Sequence, residues 1–437
     1  MPSICIDGFN LALSQGTGIA TYGRNLLTNA RAVGMGTQVL YGPDVKRSRS
    51  NVLNEVALAD AERAIGRLSR KEKIVRMMDT FTTRFGRLAH PIQPSGEVIW
   101  SSRGGGRPDA DLFWAAPSLF ALANRSFRAH GATTPVSFDH SADAPRPDIM
   151  HWTCPLPLHA RDVPNIYTFH DLIPLRLPHT TLDDKRVFMA LCQDVLRRAD
   201  HIAVVSETTR QDLERILQVP ASKITNTYQA ISIPERLKSR TDEEVRLELE
   251  GIFNLKWKGY FLHFGAIEPK KNLGRIVEAY LSSGVKTPLV LVGKEGWLVD
   301  GETALLSQIK RDGGSNADRI RQYDHMPFPL LLSLIRGAKA TLFPSLYEGF
   351  GLPVLESMAL STATLASTGG ALPEVAGDAA LIVDPYDVPA ITQAIRDLDH
   401  DDAMRENMER LGLSQAAKFT PQAYQERLEE LYAKVGS

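Results

Sequence analysis

The chain has 437 residues, 43% of them hydrophobic, and 50 lysines and arginines stand against 51 aspartates and glutamates for a formal net charge of −1. At about 150 residues per domain this length allows two or three domains, and the apolar content is ample for large cores, which excludes a disordered chain. Near neutrality argues against general nucleic-acid binding, and no run of about 18 apolar residues offers a membrane span.

Met1-Pro2-Ser3-Ile4-Cys5-Ile6-Asp7-Gly8 lacks a basic start, a long apolar run and a cleavage site, so it reads as a first buried strand. A glycine-bearing segment leads into a helical pattern from Ile19 to Ala32, and Gln38-Val39-Leu40-Tyr41 is a strand stopped by Gly42-Pro43. Between Asp44 and His90 stand eleven lysines and arginines against six acids, with Ile65, Leu68, Ile74, Val75, Met77, Met78 and Phe81 interleaved. This insert, about 44–90, reads either as a basic amphipathic helix on an anionic membrane surface or as a solvated helical face packed on its own domain. Gly104-Gly105-Gly106 reads as a flexible loop. Further on, strands at Asn165 to Phe169 and His201 to Val205 flank a helix near Asp183 to Arg198, and Ser206 is placed to cap the helix that follows.

From Ile233 to Lys258 the sequence turns polar and charged, a linker with a domain boundary near residue 240. The second half repeats the theme, with strands at Tyr260–Phe264, Leu289–Val292, Ala340–Phe343 and Thr364–Ala366 and amphipathic helices between them. Such alternation implies βαβ units and an α/β protein of two parallel-sheet domains, 1–240 and 241–415, with the ligand cleft between them at the carboxyl ends of strands. The three cysteines, Cys5, Cys154 and Cys192, form neither a metal-ligand pair nor a disulfide framework, which fits a reduced, cytoplasmic setting.

The strongest chemical signal is Phe343-Pro344-Ser345-Leu346-Tyr347-Glu348-Gly349-Phe350-Gly351-Leu352-Pro353-Val354-Leu355-Glu356. A buried strand ends at Phe343, a loop with two glycines follows, and Pro353 marks a helix start. This puts Glu348 in the loop and Glu356 in the first helical turn. Glycines admit a ligand close to backbone N–H groups, a helix N-terminus favours an anion, and each carboxylate can accept hydrogen bonds from sugar hydroxyls. The alternative is structural: Glu356 complements the helix dipole and the glycines make a turn.

The segment resembles the Glu-x7-Glu signature of the retaining glycosyltransferases of family 4, whose fold, GT-B, pairs two Rossmann-like domains across a cleft. The resemblance continues through Ala366-Ser367-Thr368-Gly369-Gly370-Ala371-Leu372-Pro373-Glu374, Phe264-Gly265-Ala266-Ile267-Glu268-Pro269-Lys270-Lys271-Asn272-Leu273 and Leu291-Val292-Gly293, covering most of 260–390 in order. It implies that Glu348 and the amides of Gly349, Phe350, Gly351 and Leu352 hold the donor sugar. It also implies that Glu356 binds the ribose and Lys271 the diphosphate, beside Gly265. Many members carry an arginine where this chain has Ala266, so a second diphosphate cation comes from elsewhere, with Lys270 a candidate, or is absent. Gly16 and Gly18 match a glycine loop facing the diphosphate, His170 a histidine beside the transferred sugar, and Tyr323, Asp324, His325 and Met326 the base region. Residues 416–437 match a C-terminal helix returning to the N-terminal domain.

The implied reaction transfers a hexose with retention, without metal or cofactor. The closest resemblance, through His170-Asp171-Leu172-Ile173-Pro174 and Glu268-Pro269-Lys270-Lys271-Asn272, is to bacterial polysaccharide mannosyltransferases. GDP-mannose is therefore the expected donor, with a UDP-sugar as the alternative, and a glycan or lipid-linked acceptor is expected. A catalytic carboxylate on the opposite sugar face and an Asp-x-Asp metal site are not suggested. A dinucleotide-binding dehydrogenase fits poorly, because Thr21 occupies the third glycine position and the pair lies about ten residues beyond the strand. A non-catalytic scaffold that binds nucleotide-sugar or glycan is the remaining alternative.

Overall fold

The computed structural model describes residues 2–12, 18–44, 48–60, 78–100, 106–141 and 143–435. Among the described residues ten strands belong to the first half: β1 (Ser3–Asp7), β2 (Gly36–Tyr41), β3 (Arg87–Ile92), β4 (Leu112–Ala115), β5 (Thr134–Phe138), β6 (Ile149–Trp152), β7 (Leu158–Ala160), β8 (Asn165–Phe169), β9 (His201–Val204) and β10 (Ile224–Asn226). Six belong to the second: β11 (Phe261–Phe264), β12 (Leu289–Val292), β13 (Ile320–Tyr323), β14 (Ala340–Phe343), β15 (Ala363–Ser367) and β16 (Leu381–Val383). Strands β8, β11, β12 and β14 are buried along their whole length, as strands covered by helices on both faces must be.

The second sheet is wholly parallel and ordered β13-β12-β11-β14-β15-β16. Chain direction across it reverses between β11 and β14, and the crevice outside their carboxyl ends is where doubly wound sheets bind ligands. The first sheet is ordered β10-β9-β8-β6-β1-β2-β4-β3-β5-β7, with the same kind of reversal between β1 and β6. It departs from the expected all-parallel arrangement at β3, which runs antiparallel to β4. Antiparallel pairing needs no crossover helix, and the insert delivers β3 to the sheet from a turn at Gly86, where φ is 127°.

The basic insert is therefore not one helix. Its described parts are a helix at Asn51–Ala59, a helical stretch at 78–83 and the start of β3, while 45–47 and 61–77 lie outside the described residues. The polar stretch after Ile233 folds into short helices that bury Val245, Leu249 and Phe253. The helix Pro421–Val435 lies against the first domain, where Gln425 Nε2 donates to Asn29 Oδ1 at 2.9 Å and Tyr432 OH meets His151 Nδ1 at 2.9 Å. One apolar cluster runs from Ile4 and Tyr22 through Leu428 and Leu431 to Phe350 and Leu355, joining the two halves.

Candidate active site

At the reversal point of the second sheet, two loops interlock. The loop after β11 begins at Gly265, whose φ of 131° only glycine adopts without strain, and ends in a short 3-10 turn, Pro269–Lys271. Asn272 (φ 64°) then opens the helix Leu273–Ser283, and its amide donates to the carbonyls of Pro344 at 2.8 Å and Pro385 at 2.7 Å. Leu346 N–H donates to the Lys270 carbonyl at 2.7 Å. These bonds bring the loops after β11 and β14 together, with the loop before the helix Val388–His400 beside them. The tying role of Asn272 was not read from the sequence, although its place after two lysines is part of the matching segment.

Within this frame Lys271 Nζ lies 2.7 Å from Glu348 Oε1. Lys270 Nζ lies 3.5 Å from Glu268 Oε1 and 3.9 Å from Glu348 Oε2. Glu348 is only 8% exposed. Burial pushes its pKa up, but the ammonium groups of Lys271 and Lys270 outweigh burial and hold the carboxyl below its ordinary range. Lys270 shows the converse: burial lowers its pKa, yet the carboxylates of Glu348, Asp171 and Glu268 raise it on balance. Lys270 thus serves a carboxylate cluster as well as standing where a second diphosphate cation was expected.

Glu348 is fixed through its backbone by a parallel bridge to Gly370 and by Ala371 N–H, which donates to its carbonyl at 2.9 Å. Gly351 (φ 112°) caps the helix Leu352–Ala359, and a Cβ there would meet Leu372 Cδ2 at 2.8 Å. Pro353 stands in the first turn of this helix and Glu356 in the second, so the expected first-turn placement of Glu356 is corrected. The helix-dipole explanation weakens with it, because that interaction falls off within the first turn. The Glu356 carboxyl has no hydrogen-bond partner among the described residues. Burial raises its carboxyl from 4.5 to about 7, and Lys271 only partly offsets this. A carboxyl in that state accepts a bidentate diol readily, since a ligand hydroxyl pair supplies what the protein does not.

The first domain contributes His170, directly after β8. Its Nε2 contacts the Thr153 carbonyl at 2.8 Å, which is only an acceptor, so Nε2 carries the proton and Nδ1 keeps its lone pair. Nδ1 has no partner among the described residues. Burial lowers the pKa of His170, and the Thr153 bond and Asp171 only partly compensate, so the ring is neutral at pH 7. Asp171 Oδ1 accepts from Ile173 N–H at 2.9 Å. Gly349 faces this segment so closely that a Cβ on it would strike the His170 carbonyl oxygen.

The other expected residues are spread around this centre. Tyr323 ends β13 and packs edge-on against Phe253, with Asp324 and His325 exposed and Met326 half-buried in the loop beyond. The side chain of Phe350 turns away, buried between Tyr228 and Phe419, so only its amide is available to a ligand. Leu352 is half-buried at the start of its helix. Gly18 opens the helix Gly18–Ala32, while Gly16 lies outside the described residues, as do Gly104 and Gly105. The acids of the Asp-x-Asp stretches are engaged elsewhere: Asp109 and Asp111 pair with Arg31, and Asp399 with Lys339. Among the described residues no group of three or more histidines, cysteines and acids is placed to hold a metal ion.

Two further contacts, absent from the sequence reading, clasp the domains beside the site. The Glu374 carboxylate accepts from Glu207 N–H at 2.7 Å and Thr208 N–H at 3.2 Å, capping the helix Glu207–Leu217 from the opposite domain, while Ser206 caps it from its own. Tyr347 OH donates to the buried Asp212, with the Arg176 guanidinium 5.6 Å above the tyrosine ring.

Comparison with known proteins agrees with this architecture. The family model described as glycosyl transferases group 1 matches residues 252–415, and that of glycosyltransferase family 4 matches residues 97–233. The O-antigen chain mannosyltransferase B of Escherichia coli is 34% identical over 260 residues, 58% of this chain and 66% of that protein. The serotype-specific mannosyltransferase WbdA of Escherichia coli is 29% identical over 269 residues, 60% of this chain and 32% of that protein. The match thus spans just under two thirds of one relative and about a third of the other. A sucrose-phosphate synthase from Thermosynechococcus elongatus superposes over 99% of both chains with a TM-score of 0.68 at 17% identity, a likeness of fold. The chain thus carries a glycosyltransferase family 4 domain followed by a glycosyl transferases group 1 domain.

Proposed function

We propose that this protein is a retaining, metal-independent hexosyltransferase that moves mannose from GDP-mannose to a glycan or lipid-linked acceptor in surface polysaccharide assembly, at the cytoplasmic side. The observation that carries this reading is the meeting of Lys271, Glu348 and Glu356 at the reversal point of the second sheet, opposite a neutral His170. Mannose is favoured by the mannosyltransferase names of both Escherichia coli relatives.

A nucleoside diphosphate sugar brings its own leaving group, so the protein's task is to hold the diphosphate and stabilise the charge that grows on it. Lys271 supplies a compact cation for that charge, and Glu356 an acceptor for a ribose diol. Glu348, kept ionised by the two lysines, accepts hydrogen bonds from sugar hydroxyls. His170 offers the Nδ1 lone pair to a further hydroxyl. Front-face attack, in which a leaving phosphate oxygen takes the acceptor proton, needs no protein base and retains the anomeric configuration.

A peripheral membrane contact is part of the proposal. Phe81 and Phe85 are 52% and 61% exposed, and the Arg84 guanidinium lies 4.3 Å and 4.5 Å from their ring centroids, with Met78 and Leu88 exposed nearby. Aromatic rings interleaved with arginine suit an anionic lipid surface. No helix among the described residues is long and apolar enough to cross a membrane.

The test is turnover with GDP-mannose and with UDP-sugars in the presence of EDTA, read by proton NMR of the sugar anomeric signals. Retained configuration from GDP-mannose with EDTA present supports the reading. Turnover of UDP-sugars only replaces the donor, loss of activity with EDTA refutes metal independence, and binding without turnover makes the protein a scaffold.

A further inference from the structure

We infer that the helix Pro421–Val435 positions His170 through a buried polar chain in which Tyr432, His151, Thr168 and Tyr22 are positioning residues. The inference rests on the role proposed above for His170. Tyr432 OH lies 2.9 Å from His151 Nδ1, His151 Nε2 lies 2.8 Å from Thr168 Oγ1, and Thr168 Oγ1 lies 2.8 Å from Tyr22 OH. The Tyr22 ring then stands edge-on to the His170 imidazole, centroids 4.8 Å apart at 88°. Thr168 and His170 are two residues apart along one extended segment, so their side chains share a face, and Tyr22 touches both.

All four groups of the chain are buried. Apolar residues of the same shape would pack there without the cost of removing hydroxyls and an imidazole from water. What a satisfied polar chain adds is a single fixed geometry. Every member can both donate and accept, so the chain is satisfied in either direction. At its end, Thr153 O fixes one edge of the His170 ring and Tyr22 fixes the plane, which together set where Nδ1 points. The polar chain begins on a helix whose sequence neighbours belong to the other domain, so a segment that follows the second domain reaches the wall behind His170.

The groups that face His170 are Asp171, Lys270, His151 and Tyr22, with Asp7 behind Thr153, whose N–H it accepts at 2.6 Å. His151 stays neutral throughout the range of interest, because burial lowers it to about 3. Changes in the titration of His170 therefore report its own surroundings.

The experiment is NMR titration of the ring carbons of 13C-histidine-labelled, donor-free protein, with His170 assigned from His170→Gln. Thr168→Val removes the central hydroxyl at nearly constant shape, and Tyr432→Phe breaks the far end with less disturbance. Tyr167→Phe is the control, since its hydroxyl donates to the Leu158 carbonyl at 2.5 Å from the other face of the same strand. In wild type and Tyr167→Phe, His170 is expected to titrate below the ordinary value of about 6.5. In Thr168→Val, and less so in Tyr432→Phe, its titration moves up towards that value, and kcat for GDP release from GDP-mannose falls about tenfold and about threefold with KM unchanged. Unchanged titration in folded Thr168→Val and Tyr432→Phe overturns the inference, as does the same upward move in Tyr167→Phe. Because the titration needs no turnover, failure of the proposed function shows separately, as an active His170→Ala variant or an inactive wild type.

Discussion

Replacing Glu356 with glutamine is predicted to make the free protein more stable and the nucleotide complex weaker. The carboxyl is pushed from 4.5 to about 7 in the folded protein. A raised carboxyl pKa means that stability is full below about pH 4.5, where the group is neutral in both states, and declines as pH rises through 7. At 1.36 kcal/mol per pH unit the penalty approaches about 3 kcal/mol above pH 8, and partial solvent access at Glu356 trims it to about 2 kcal/mol. Glutamine keeps the shape and cannot ionise. Glu356→Gln therefore gains about 2 kcal/mol at pH 8 and nothing at pH 4.5, a rise in Tm of about 4–8 °C at the higher pH for a domain of this size. The assay is calorimetry of wild type and variant from pH 4.5 to 8.5, followed by titration with GDP. Loss of a charged acceptor for the ribose is expected to weaken GDP by about 1.5–3 kcal/mol, some tenfold or more. Melting curves that stay parallel across this range, or undiminished GDP affinity, would refute the assignment of Glu356 as an unpaired carboxyl awaiting a diol.

The remaining expectations concern the same centre and its surroundings. Glu348→Ala removes the partner of Lys271 and an acceptor for sugar hydroxyls, so transfer is expected to fall about 100-fold or more while GDP affinity changes little; kinetics beside calorimetric titration checks both. Glu374→Ala uncaps the helix Glu207–Leu217 from across the cleft, costing about 1 kcal/mol and loosening the clasp, which an increased radius of gyration in X-ray scattering would show. Phosphatidylglycerol vesicles are expected to sediment the protein at low salt and release it at high salt, and Phe81→Ser with Phe85→Ser to abolish sedimentation. Vesicles that leave it in solution at low salt would return the insert to a face packed on its own domain.

Much of the second domain was legible because its information is local. The strands at Leu289, Ala340 and Thr364 announce themselves as short apolar runs, and Pro353 marks a helix start within a turn of where it occurs. Glu348 and Glu356 stood out because they fall in a glycine-bearing loop and in the helix that follows it, whereas Lys271 came only from the resemblance of its Glu-Pro-Lys-Lys-Asn segment. What escaped lies in contacts between distant segments. The cap that Glu374 places on Glu207 N–H spans 167 residues, and the bond between His151 and Tyr432 spans 281. Neither leaves a periodicity or a turn signal behind. The antiparallel pairing of β3 was equally hidden, because a short strand of charged and apolar residues at the end of a basic insert reads as helix. The exact turn of Glu356 was misjudged because proline occupies the second helical position instead of the first boundary residue.

The central claim is that Lys271, Glu348 and Glu356 form a site for GDP-mannose, and calorimetric titration of wild type and Lys271→Ala with GDP-mannose, GDP and UDP-glucose tests it most directly. The account predicts that GDP and GDP-mannose bind wild type, that UDP-glucose binds more weakly, and that Lys271→Ala loses about tenfold or more in affinity for both guanine ligands. Equal affinity of Lys271→Ala and wild type for GDP-mannose, or binding of UDP-glucose alone, would contradict it.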